Sequence, residues 1–493
     1  MSSVDSPAGA DQTGDGLPTR DGLPPDAFTK ILFQTLNHFW PKFRSWLREM
    51  PDTRNPALIE YAREFLEAWG LSLFLFKLGS RRALDEELAK GWSRAHLNRW
   101  LGTAQDTTPV QGTLEHFLGH QTSRPLRRLR TLMIRTLIRS KVLDDARLSG
   151  LFMLAFDGTG WQTYRESHCP HCLQRKAGGK ILYMHFALEA KLVTPLGLAL
   201  SVGTEFIENH DLPEDRKLTD KRKQDCELKA ALRLLPQLRE DFPQTPFCLT
   251  GDSLHACGPL IQAAKDHRFS YILVFKPGRT PALWREFQSL LKLVPQNRLR
   301  CALSGGTTQV FRWLNGLEYE DSEGRLHKLN AIQCRETVKK KDGKQKTTTF
   351  AWITDLPVNG KTVERIATHG GRIRSKIENE GFNIQKNSGL NLEHPYSHDE
   401  ENAKSYYFLL QIAHLILQLI EKGSLLRHLA AQSLRHAPPA ASETASEVTS
   451  RVLCSLEAIA ENMLNGLRFF RLPDAAFDAA EAGRIQIRLN NST

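Results

Sequence analysis

Three carboxylates carry the chemistry this chain can be read for. Asp157 ends the apolar run 151–156 and is followed at once by Gly158, Thr159 and Gly160. Asp252 stands just past a second apolar run, Phe247-Cys248-Leu249-Thr250, after Gly251. Glu378 lies in the stretch Gly371-Arg-Ile-Arg-Ser-Lys-Ile-Glu-Asn-Glu380. An acid at the end of a buried strand is costly unless it is paired, hydrogen-bonded or bound to a cation. One Asp-Gly alone reads as a turn. Two such acids brought together repel each other unless a cation neutralises them, and hard oxygen donors select magnesium or manganese. A third carboxylate is needed to hold a second ion. Arg374 precedes Glu378 by one helical turn and shares its face; in isolation that pair reads as a surface ion pair. Glu380 is the alternative third ligand, and the Arg374 spacing favours Glu378.

The elements that must position these acids follow from hydrophobic pattern. A short, fully apolar run bounded by turn residues reads as a strand buried on both faces, so 151–156 and 247–250 are strands. Between them come strands over 181–192 and 196–206 and an amphipathic helix over 225–235, which Pro236 ends or kinks. A helix over 259–267 and a strand over 271–275 follow. The expected fold is α/β. One strand order sets the first and fourth strands side by side, that of the ribonuclease-H-like sheet, and would face Asp157 and Asp252 across a gap a metal ion fills. The catalytic core would occupy 149–280 and 361–428, separated by a β-rich insertion over 281–360. In that insertion Asp342-Gly343 signals a hairpin whose tip is flanked by Lys339, Lys340 and Lys341. Residues 1–25 have the composition of a disordered tail, 26–148 form a helical region, and 429–493 hold a linker and a last helix.

Composition narrows the class. The chain has 493 residues, 41% hydrophobic and 25% charged, with a formal net charge of +11, which favours a polyanionic partner. No acid lies between Glu115 and Asp144, while Arg124, Arg128, Arg135 and Arg139 fall on one helical face apart from Leu126, Leu129, Met133 and Leu137. That face is either merely solvated or a phosphate contact. Lys90-Gly-Trp-Ser93 reads as a turn between helices, the second capped by Ser93; a helical hairpin fits it better than a DNA-binding helix-turn-helix. No run is long and apolar enough to span a bilayer, and the first 26 residues lack the apolar core of a secretory signal. Of eight cysteines only Cys169 and Cys172 form a Cys-x-x-Cys pair, so a reducing compartment is expected. With His185 the pair offers a zinc knuckle; an unmetallated loop is the other reading.

Taken in order, Phe156-Asp-Gly-Thr159, Thr250-Gly-Asp-Ser253 and Arg374-x-x-x-Glu378 resemble the three blocks of DDE-type transposases of bacterial insertion sequences. The subgroup is the one with a Tyr-Arg-Glu-Lys signature and a β-rich insertion before the glutamate. Residues 223–227 and 271–278 also look like segments of such enzymes, and the resemblance spans roughly 110–425. It implies metal-dependent cleavage of double-stranded DNA at terminal inverted repeats and joining to target DNA, by a cytoplasmic, nucleoid-associated homodimer. Asp157, Asp252 and Glu378 would bind Mg2+ or Mn2+, Arg374 would hold a phosphate oxygen, and Lys386 would be the signature lysine. Gly158 and Gly160 would keep side chains away from a DNA backbone. Trp313 or Trp352 could hold a flipped base, although buried core tryptophan fits each better. Two positions depart from the pattern: the signature tyrosine falls at Gly371, and the lysine position at Gln385, with Lys386 one later. Eight residues on an ideal helix turn a side chain about 80° away, which a bulge at Gly381 would absorb. A ribonuclease-H-like nuclease without strand transfer and an inactive DNA-binding regulator are the alternatives.

Overall fold

The computed structural model describes residues 25–110, 112–209, 224–339, 344–436, 455–478 and 486–489. The expected tail over 1–25 lies outside them except for Pro25, as do Lys340, Lys341 and most of the expected linker. The chain divides into two compact units, Leu143–Asn383, and Met1–Val142 together with Ile384–Thr493.

The second of these is helical: α1 (Pro25–Phe39), α2 (Phe43–Arg48), α3 (Arg63–Leu75), α4 (Arg81–Leu88), α5 (Ser93–Leu101), α6 (Thr113–Gly119) and α7 (Arg124–Arg139), then helices Glu400–Lys422, Ser424–His436 and Leu456–Phe469. Helix Glu400–Lys422 is buried without a break from Asn402 to Ile420. A helix apolar all round needs neighbours on every side, and α3, α6 and α7 pack on it. Residues 384–428 therefore belong with the N-terminal helices, whereas the sequence reading joined 361–428 to the core. The turn at Gly91 is present, but Ser93 caps nothing: its hydroxyl donates to the Lys90 carbonyl. Among the described residues no helix is long and apolar enough to cross a membrane.

The other unit is mixed α/β. Its strands are β1 (Phe152–Tyr164), β2 (Leu173–Ala177), β3 (Lys180–Val193), β4 (Ala199–Ile207), β5 (Phe247–Gly251), β6 (Ser270–Val274), β7 (Arg298–Ala302), β8 (Thr308–Glu320), β9 (Leu326–Lys339) and β10 (Gln345–Thr354). They form one open sheet in the order β2-β3-β1-β5-β6-β10-β9-β8-β7, with β4 on β3. β1, β5 and β6 run parallel; the other pairs are antiparallel. The parallel centre is where the uninterrupted apolar runs lie, because both of its faces are covered. The β-rich segment is no separate body: β10 pairs with β6 and extends the same sheet.

Alternation along β1 decides what covers each face. α8 (Glu227–Asp241) lies over the face of Phe156, Ala190 and Gly203, where Leu234 and Leu238 pack on Gly203. It continues past Pro236, which does not end it, and Leu238 beyond is buried. α9 (Gly258–Asp266) precedes β6, and α10 (Pro281–Leu293) opens the segment expected as the β-rich insertion. Met153 and Ala155 point to the opposite face, into a core shared with Cys248, Ile272, Trp352, Ile366, Ile373, Ile377 and Phe382. The last four belong to the helical run 363–383. Trp313 and Trp352 are core residues, as their apolar context implied.

In the helical unit Glu67 is fully buried beside Arg63 at 3.1 Å. Burial pushes its carboxyl up to about 7, against the pull of the Arg63 and Arg54 charges. A carboxyl raised by folding contributes stability that is complete below its ordinary value near 4.5 and is lost as pH rises through 7. Melting temperatures between pH 5 and 8 should therefore fall with rising pH in the wild type relative to Glu67→Gln; parallel profiles would contradict the assignment.

Candidate metal-binding active site

Asp157 sits where β1 loses one neighbour and keeps the other. Its parallel pairing with β5 ends at Ala155 opposite Thr250, while its pairing with β3 runs on, Asp157 opposite Glu189 and Tyr164 opposite Tyr183. The strand was expected to stop at Asp157; instead the long β3 partner carries it on to Tyr164, and the cleft opens on the β5 side alone. Asp252 is the first residue beyond β5. The two acids therefore stand at the same edge of adjacent strands.

The third group arrives from the helical run 363–383 on the Ala155 face. Arg374 donates from Nη1 to Asp157 Oδ2 at 3.1 Å. Asp157 is raised above its ordinary value, first by burial, then by the charges of Asp252 and Glu378, with Arg374 opposing. Glu380 is held instead by Lys376. The bulge that Gly381 was to supply is present as a π-helical segment, Ile377–Phe382, and an earlier one spans Ile366–Gly371. Gly371 has no room for a tyrosine, because a Cβ there would stand 2.4 Å from the Trp352 indole.

Asp252 is oriented by its own loop. Its Oδ1 accepts from Leu254 N at 2.9 Å and from His255 Nδ1 at 3.0 Å. Burial opposes ionisation, yet these bonds and the Arg374 charge outweigh it and hold the carboxyl below its ordinary value. His255 is buried under it, and its Nε2 has no hydrogen-bond partner among the described residues. The side chains of Asp157 and Asp252 remain 24% and 42% exposed, so a ligand can reach them.

Three contributors escaped the sequence reading. Glu227, at the start of α8, reaches the site across Gly158, and its carboxyl is raised first by burial and then by the Asp157 charge. A Cβ on Gly158 would meet Glu227 Oε1 at 2.4 Å, and one on Gly160 would touch the Phe186 ring. Those glycines thus make room for protein side chains and not for a DNA backbone. His255 carried a weak signal, its three-residue spacing from Asp252. Beside Asp157 on β3, Glu189 is wholly buried, accepting from Ser201 and Thr204 with Lys191 3.8 Å away. Nothing in the alternating pattern of β3 announced a buried charge pair.

The remaining expected groups fall elsewhere. Lys386 lies in the helical unit, its ammonium 2.7 Å from Glu393, and Gln385 is buried there between Gln411 and His414. Arg124, Arg128 and Arg139 on α7 are exposed and Arg135 is half-buried. Arg124 and Arg128 border a cleft of about 400 Å³ with Trp46 and Leu132. Lys339 is exposed at the end of β9. Cys169, Cys172 and His185 come together beyond the far end of β1.

Asp157, Asp252 and Glu378 offer oxygen donors alone, the kind that a hard cation would take. As a set, the Asp157, Asp252 and Glu378 carboxylates do not close within 4.8 Å of one another, and the cluster in this unit that does, among the described residues, is Cys169, Cys172 and His185. The mutual repulsion felt at Asp157 is what a cation would relieve. No protein-family model matches the chain, and no curated protein matches it.

Removing one charge from this cluster separates stability from metal binding. Without divalent ions, Asp157→Asn should match or exceed the wild-type melting temperature at neutral pH. With Mn2+ at a hundred times its dissociation constant, the wild type alone should gain about 2.7 kcal/mol. An equal Mn2+ response in the variant, followed by calorimetry, would remove Asp157 from the ligand set.

Proposed function

We propose that the chain is a DDE-type DNA transposase, cutting the ends of a mobile element and joining them to target DNA as a homodimer on the DNA. The observation that carries this reading is the convergence of Asp157 on β1, Asp252 after its parallel neighbour β5, and Glu378 on a helical run whose Arg374 already reaches Asp157. The order β4-β3-β1-β5-β6, with β1, β5 and β6 parallel, supports a ribonuclease-H-like core extended by β7 to β10.

Asp157, Asp252 and Glu378 would hold the divalent ions. Bound Mg2+ or Mn2+ supplies activation of water or of a 3′-hydroxyl and neutralises charge on the leaving oxygen. His255 fixes the Asp252 carboxylate through its Nδ1, so that Oδ1 is oriented before a ligand arrives. Arg374 leaves Asp157 for a phosphate oxygen near the scissile bond, where its fork of donors binds two oxygens at once. Glu227, whose carboxyl is raised first by burial and then by the Asp157 charge, adds a fourth carboxyl beside Asp157 across Gly158. The exposed arginines of α7 and the lysines around Lys339 contribute sequence-independent phosphate contacts.

The test uses a duplex carrying the inverted repeat that flanks the gene, with Mg2+, and separates cut from joined products. Asp157→Ala, Asp252→Ala and Glu378→Ala should each abolish both products while leaving end binding intact. His255→Ala should lower the rate about 10- to 100-fold, and Glu380→Ala should leave it near wild type. Cutting without joining would favour the nuclease, and binding without either product an inactive regulator. Separately, replacing Arg124, Arg128 and Arg139 by Gln should flatten the salt dependence of DNA binding by about 0.9 in log–log slope for each phosphate no longer neutralised. An unchanged slope would confine these arginines to solvation.

A further inference from the structure

Beyond the acidic site, the mixed-sheet unit holds a second donor cluster of opposite chemical character. Past Tyr164 the chain leaves β1, passes through His168, Cys169, Pro170, His171 and Cys172, and returns as β2 along β3. His185 on β3 faces this excursion. Cys169 Sγ and Cys172 Sγ are 3.4 Å apart, and His185 Nε2 is 3.5 Å from the first and 3.4 Å from the second. A tetrahedral zinc ion with ordinary bond lengths sets two thiolates roughly 3.8 Å apart and a thiolate and an imidazole about 3.6 Å apart. The three protein atoms thus already form one face of such a tetrahedron.

The surroundings hold that face in place. A β-bulge between Gly160 and Gln162 shifts the register just before Gln162 meets His185 across the pair, which is how a strand re-aims side chains near a site. Asn209 clamps the knuckle from the end of β4, donating from Nδ2 to the Cys172 carbonyl and from its amide to the His171 carbonyl, each at 3.0 Å. Cys172 and His185 are buried. His168 precedes Cys169, its ring stacked on Tyr164 at 4.3 Å and 6.2 Å from the His185 ring.

We propose that Cys169, Cys172 and His185 bind a structural zinc ion. The soft thiolates exclude magnesium, so the two sites of this unit take different metals by donor chemistry alone. The ion would tie the excursion over 165–179 to β3 and so brace the part of β1 that runs past Asp157 without β5 beside it.

The experiment measures metal in the full chain purified without chelator, by atomic emission and by release to a colorimetric zinc reagent. One zinc per chain is expected, retained in Asp157→Asn and lost in Cys169→Ser, Cys172→Ser and His185→Asn. Circular dichroism checks that each variant keeps its secondary structure. Cobalt substitution gives a second readout, a thiolate-to-metal charge-transfer band that both cysteine variants abolish. Wild-type protein that is folded yet zinc-free as purified, a Cys169–Cys172 disulfide in freshly purified wild type, or undiminished zinc in the cysteine variants would each overturn the proposal. None of these readouts depends on DNA cleavage, so the zinc site stands or falls apart from the transposase reading.

Discussion

The parallel pairing of β1 with β5 is the contact on which the site depends. It is short, from Phe152 opposite Phe247 to Ala155 opposite Thr250, and both strands are buried because helices cover the two faces of the sheet centre. Where the pairing ends, β5 turns away and β1 continues against β3. Two carboxylates that follow two apolar runs are thereby left at one open edge. Any shift of register between these strands would move one acid along the edge and, by the alternation of side chains, turn it to the other face.

The helical run over 363–383 supplies the rest by lying unusually close to the sheet. Gly370 and Gly371 leave room for Ile272 and for the Trp352 indole, where any side chain would collide. Two π-helical segments interrupt the regular turn on either side of Arg374, a local irregularity often found at functional sites. Arg374 then meets Asp157, and the Glu378 charge is felt there. Burial and two like charges thus oppose ionisation of Asp157, and the Arg374 guanidinium opposes them. Packing on the sheet fixes where these charges stand. Here the apolar contacts of Ile373, Ile377 and Phe382 with the sheet provide that packing.

Beneath and beside the acids lie groups with supporting tasks. His255 orients Asp252 from a buried position, and Glu227 fills the space that Gly158 leaves open. Glu189 and Lys191 form a buried pair next to Asp157, with the Lys191 ammonium 5.3 Å from the centre of the Phe382 ring. Breaking a pair of this kind costs about 3–5 kcal/mol because the remaining charge is stranded. The sheet under the site is thus held by polar contacts as well as apolar ones.

Much of this was legible in the residues themselves. Continuous apolar runs announce strands buried on both faces, and a Cys-x-x-Cys with a nearby histidine announces a cluster, because each signal is local. The adjacency of the first and fourth strands was one topology among several, and the fold settled it through register. What sequence could not convey was long-range: that β3 would carry β1 past Asp157, that Glu227 would occupy the space over Gly158, that Trp352 would exclude a side chain at Gly371, and that Lys386 would belong with the helical unit. Local pattern determines which elements form and which face each buries. Which side chains then share a cleft is decided by packing between residues far apart in the chain, and by the charges that this packing brings together.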